Sequence, residues 1–170
     1  MRTKDQVHKD FTQSTKELLN TLNDFPEEHF NTKPEDGGWS AGQIAEHLIK
    51  SEIGCVRFFT KDTEPAERDP EEKIKPLKKT FLDSDTKLQA GGPIMPDDAP
   101  KDKPKAIDKL QDIRQRVTSL IEIEDLTEVV TAFDHPLFGP LTRIEWLYFH
   151  IFHSKRHGRQ IEGLSKNLNT

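Results

Sequence analysis

Apolar residues in this chain recur at helical rather than strand spacing. Val7, Phe11, Leu18, Leu22 and Phe25 form one stripe, broken only by Ser14 and Thr15, and Pro26 stops it. A second stripe, Ile44, Leu48, Cys55, Phe58 and Phe59, follows the start signal "GGWSAGQIAEHL". There Ser40 and Gln43 make a capping box, and Trp39 and Ile44 stand at the two staple positions. A third follows Pro104, with Ile107, Leu110, Ile113, Val117, Leu120 and Ile121 on one face, and fades near Asp125. The fourth repeats the start signal of the second, with Thr142 and Glu145 as capping box and Leu141 and Trp146 as staple. Four amphipathic helices predict an all-α four-helix bundle.

Between the second and third helices, residues 61–105 hold seven of the eleven prolines and few large apolar side chains. A connection of that length is a functional excursion or a crossover, and a bundle with one long connection usually has two consecutive helices running parallel. A short helix around "PEEKIKPLKKTFL" is compatible with the pattern, with Pro76 counting against it.

Composition narrows the classes. A chain of 170 residues is the size of one domain, and residues 1–170 are expected to form one. Only 32% of residues are apolar, so folding requires the concentration on stripes just described. A net charge of −5 without a basic stripe argues against nucleic acid or an anionic membrane surface as partner. One cysteine excludes an intramolecular disulfide framework. The N-terminus "MRTKDQVHKDF" has no apolar targeting region, and no run approaches a membrane span, so a cytoplasmic protein is expected. The glycine pairs Gly37-Gly38 and Gly91-Gly92 lack the remainder of any phosphate-binding motif.

Candidate chemistry concentrates in the last helix, where His150, His153 and His157 crowd into eight residues. His153 and His157 are spaced i, i+4, on one helical face about a turn apart, and one metal ion can take both. Spacing alone equally allows His150 with His153. A third imidazole must come from another helix, and His47 is the one histidine inside another apolar stripe; His8 precedes the first stripe's core, and His29 and His135 sit in connections. His47 lies roughly 10 Å from the start of its helix, and the midpoint of His153 and His157 roughly 10 Å from the end of theirs if that helix stops near Gly163. Antiparallel packing brings the three level. Ser51 and Gly54, one and two turns past His47, leave space beside its ring. Histidines on helices are commonly solvated or paired with a carboxylate, so the spacing is only suggestive by itself. Cys55, on an apolar stripe, reads as a core residue rather than a nucleophile. Trp39 and Trp146 are explained by their staple and core positions, though either could border a pocket.

Taken together, "WSAGQIAEHL" and "HPLFGPLTRIEWLYFHIFHSKRHGRQIEGL" resemble the DinB-like superfamily of bacterial four-helix proteins. Its pattern is a Trp-Ser opening helix two, a histidine some seven residues on, and H-x3-H near the end of helix four, often followed by x-x-Gln. The matching positions are Trp39, Ser40, His47, His153, His157 and Gln160. The resemblance therefore favours His153 with His157 as the pair and implies an up-down-down-up bundle; residues 60–105 support it by length only. It also implies a divalent metal, zinc or nickel foremost, and a small-molecule substrate. Some relatives use a low-molecular-weight thiol in S-transfer, many are labelled metal-dependent hydrolases, and a homodimer is suggested.

Three neutral imidazoles leave open coordination positions. A zinc ion so held lowers the pKa of a bound water to about 7, or takes a substrate thiol as thiolate. The expected reactions are thus metal-dependent S-transfer or hydrolysis. The contrasting classes are a non-catalytic metal-binding or interaction protein whose histidines only stabilise the bundle, and a haem bundle, disfavoured because an i, i+4 pair suits one small ion. The sequence identifies no general base, since Glu46 is turned about 100° away from His47.

Overall fold

The computed structural model describes residues 1–168. Its helices are α1 (Lys4–Asp24), α2 (Ala41–Phe59), α3 (Ile74–Leu82), α4 (Lys103–Ile123) and α5 (Arg143–Asn167), and a two-residue ribbon pairs β1 (Thr63–Glu64) with β2 (Val129–Val130). The bundle consists of α1, α2, α4 and α5, the four helices the apolar pattern predicts.

Each bundle helix starts where a side chain satisfies the free backbone N–H groups of its first turn. Both expected capping boxes are present, Ser40 with Gln43 and Thr142 with Glu145. Thr3 and Gln6 add a third at α1, and Asp102 caps α4. The predicted apolar stripes are buried except at Phe58 and Leu120, which are half-buried against the core.

Side-chain bonds between helices fix their directions. Along α1 and α5, Asp10 meets Tyr148 and Ser14 meets Ser154, so the two run parallel. Along α2 and α5, His47 meets His153 while the Phe59 carbonyl meets Arg143, so these run antiparallel. Lys4 reaches Glu122 and Lys103 reaches Asn23, which makes α1 and α4 antiparallel. The order is therefore up-down-down-up, and α2 and α4 are the parallel pair that the long connection joins.

Two apolar clusters stack along the bundle, one around Phe11, Phe59, Val117 and Leu147, the other around Leu22, Ile44, Leu110 and Ile161. A polar layer separates them. Arg114 lies fully buried between the clusters and donates to Glu52 at 2.8 and 2.5 Å and to Thr15 at 3.3 Å, while Ser14 bonds Ser154 at 3.0 Å. The Ser14-Thr15 break in the first stripe is the α1 side of this layer.

The long connection contains a real helix. Pro76 is tolerated as the third residue of α3, where its missing N–H would have had no partner within the helix. The turn is worth making because Ile74, Leu77 and Phe81 share a face and bury it against α5. The ribbon, absent from the all-α expectation, ties residues just after α2 to the approach to α5.

Candidate metal centre

The capped start of α2 sets His47 two turns into the helix, and α5 runs back past it with His153 and His157 on the facing side. His153 Nε2 lies 3.1 Å from His47 Nε2 and 3.1 Å from His157 Nε2. Among the described residues these three form the group of potential metal ligands whose donor atoms converge, all within 4.8 Å of one another. All three side chains are buried.

The outer ring nitrogens explain the orientation. His47 Nδ1 lies 2.9 Å from the Ile94 carbonyl oxygen, which can only accept, so the proton sits on Nδ1 and the Nε2 lone pair faces inward. His157 Nδ1 donates to Gln160 Oε1 at 3.0 Å with the same result. Among the described residues His153 Nδ1 has no hydrogen-bond partner, and its ring is held instead by stacking on Phe149 at 5.1 Å. Trp39 closes the outer side, 4.9 Å from the His47 ring and 6.4 Å from that of His157.

Burial keeps these imidazoles neutral, which is the form that binds metal. It pushes His47 below its ordinary value despite the opposing Ile94 bond. Burial, with His47 nearby, takes His157 to about 3. His153 is held well below 6.5, first by burial and then by its two neighbours.

The cluster forms part of the wall of an open cavity of about 1360 Å³ between α2, α5 and the long connection. Ser51 and Gly54 line it beside His47, in keeping with the space their size suggests. Farther along, Phe58, Phe133 and Trp146 make an aromatic wall, with Phe58 and Phe133 stacked 4.9 Å apart. Among the described residues the rim carries Lys50, Arg57, Lys87, Arg156 and Arg159 against a single lining carboxylate, Asp83.

His150 also borders this cavity but does not join the cluster. It is buried, its ring nitrogens have no partner among the described residues, and burial takes it to about 3. Cys55 is a core residue, its thiol pushed up by burial. Glu46 turns away from the cluster to pair with Lys50 and Lys101.

One cavity residue escapes sequence reasoning. His135, in the irregular link before α5, is buried among Phe81, Trp146 and Phe149 and pushed by burial to about 4. Its Nδ1 accepts from the Leu137 N–H at 3.1 Å, so the proton is on Nε2. No periodicity marks such a position.

Comparison with known proteins gives the family and the fold. The family model described as the DinB superfamily matches residues 10–161. The Bacillus subtilis protein YuaE is 24% identical over 159 residues, covering 93% of this chain and 96% of its own. A Bacillus cereus protein named "Putative metal-dependent hydrolase" is 24% identical over 156 residues, covering 90% of this chain and 80% of its own. Among solved structures, YfiT from Bacillus subtilis, described as a probable metal-dependent hydrolase with an unusual four-helix bundle topology, superposes with a TM-score of 0.62 at 24% identity, over 98% of this chain and 87% of its own. TT2238, described as a four-helix bundle protein, gives 0.59 at 19% identity, over 95% and 99%. By the family match, the chain belongs to the DinB superfamily.

Proposed function

We propose that the protein is a metal-dependent hydrolase of a small molecule, with His47, His153 and His157 as the ligands of one divalent ion. The observation that carries this reading is the convergence of three neutral Nε2 atoms, two of them aimed by bonds at Nδ1, on the wall of a large cavity. The spacing fits. Bonds of about 2.0–2.1 Å in a tetrahedral site put neighbouring nitrogens about 3.3 Å apart, close to the 3.1 Å between His153 and each partner. A divalent ion held there supplies Lewis acidity, polarising a substrate oxygen and acidifying water. Imidazole ligands suit zinc and nickel alike.

The chain's own groups supply the rest. Trp39 and Phe149 shield the imidazoles. His135, protonated at Nε2, is a neutral donor in the cavity wall. The rim favours a substrate with negative charge, since cations outnumber the one lining carboxylate while the chain as a whole is acidic.

Absence of a fourth protein ligand among the described residues favours catalysis over a purely structural metal. S-transfer is the second reading. Cys55 is sealed in the core, so that reaction requires an external low-molecular-weight thiol.

The test compares metal-depleted and zinc- or nickel-reconstituted protein on anionic and neutral esters and amides, and on thiol-plus-electrophile pairs. Metal-dependent hydrolysis, lost in His153→Ala, is expected. Turnover confined to the thiol pairs selects S-transfer, and stoichiometric metal with no turnover selects a non-catalytic role.

A further inference from the structure

The excursion between α2 and α4 has its own relationship to the cluster. Gln43, Glu46, His47 and Lys50 lie at helical spacing on one face of α2, and all four bind residues 94–98 of the connection. His47 Nδ1 donates to the Ile94 carbonyl at 2.9 Å, and Lys50 Nζ to the Met95 carbonyl at 2.8 Å. The Asp97 N–H donates to Glu46 Oε2 at 3.0 Å, and Gln43 Nε2 donates to the Asp97 carbonyl at 3.1 Å. Lys101 locks the far end, pairing with Glu46 at 2.7 Å and with Asp97. Asn31 holds the Lys101 backbone through both its N–H and its carbonyl. At the near end the chain enters through Gly92, whose φ of +66° suits glycine, and Ile94 and Met95 reach the cavity wall.

We propose that segment 94–98 is a working part of the metal centre, and that Gln43 and Glu46 are positioning residues that hold the Ile94 carbonyl against His47 Nδ1. The proposal rests on the metal reading of the three histidines. A neutral imidazole carries one proton, and the nitrogen that bears it cannot ligate. Docking Ile94 places that proton on Nδ1 and leaves Nε2 for the ion. With the segment released, His47 loses both this tautomer restraint and its ring anchor. Because the docked segment favours the ion, the ion must favour the docked segment by the same factor. The excursion then becomes a cavity wall whose order depends on the metal.

The experiment uses the full chain with zinc. In the wild type, hydrogen exchange of the Asp97 amide is expected to slow about 5-fold or more when zinc is added. In a Gln43→Ala/Glu46→Ala variant, zinc affinity measured by chelator competition is expected to fall about 10-fold or more. The ring-nitrogen NMR signals of zinc-free His47 should shift from the Nδ1-protonated form toward a tautomer mixture, which simple loss of stability would not produce. Wild-type Asp97 exchange indifferent to bound zinc overturns the proposal, even if the variant does not fold. So does a folded variant whose affinity stays within about 2-fold of wild type. A wild type that binds no zinc overturns the metal reading as well, which separates the two failures.

Discussion

His47 Nε2 and His153 Nε2 stand 3.1 Å apart across the α2–α5 interface, although 106 positions separate them in the chain. Their meeting is a consequence of register. Arg143 binds the Phe59 carbonyl where α2 ends and α5 begins, and antiparallel packing then carries His153 to the level of His47.

His153 is the middle member, close to both other Nε2 atoms, so its loss removes both short pairs. His153→Ala is expected to weaken zinc binding on the order of 100-fold or more, exceeding the effect of an outer-shell change. His150→Ala should keep full stoichiometry, because His150 lies outside the converging group. Chelator competition and metal content measure both. Added zinc should raise the Tm of the wild type and of His150→Ala, but not of His153→Ala.

Gln160 holds His157 from outside, through its Oε1 at 3.0 Å from Nδ1. Gln160→Ala should lower zinc affinity about 10- to 100-fold without changing stoichiometry. An unchanged affinity in the same competition assay would show that the ring is positioned by packing alone.

Stability should fall in mild acid. His135 and His150 are buried neutral, with folded values of about 4 and about 3 against an ordinary 6.5. Above 6.5 neither state binds the proton; between 6.5 and the folded value the unfolded chain binds it and the folded chain does not. Each group therefore removes up to about 1.4 kcal/mol of stability per pH unit as pH drops through that window. Urea unfolding of metal-free protein at pH 7 and pH 5 should show the loss, and His135→Leu should make it shallower. Equal slopes for the two proteins would contradict the buried-neutral assignment.

The Glu52–Arg114 pair is sealed between the two apolar clusters. Removing one partner leaves the other charge buried, so Arg114→Met should cost about 3–5 kcal/mol in urea unfolding. Glu52→Leu/Arg114→Met together should cost less than Arg114→Met alone.

The fold was legible where one local rule decided it. Ser40 with Gln43 and Thr142 with Glu145 mark helix starts whatever packs on them, and the stripes through Leu48 and Val117 name the core faces. The site was half legible. The i, i+4 spacing and helix depth bring His47, His153 and His157 together, but choosing His157 over His150 needed the family likeness, because both lie about one turn from His153. Residues 61–105 hid the most. Pro76 obscured α3 because its permission depends on where the first turn falls. The hold of Ile94 on His47 is a backbone contact, which no side-chain pattern encodes. His135, set aside in the sequence because it sits in a connection, enters the cavity from an irregular link that no periodicity marks.

Anomalous scattering from zinc-soaked crystals tests the central claim most directly. The account expects one strong peak at the zinc edge, about 2.0–2.1 Å from Nε2 of each of His47, His153 and His157. A peak bound to His150 in place of His157, or no ordered zinc among the three imidazoles, would contradict it.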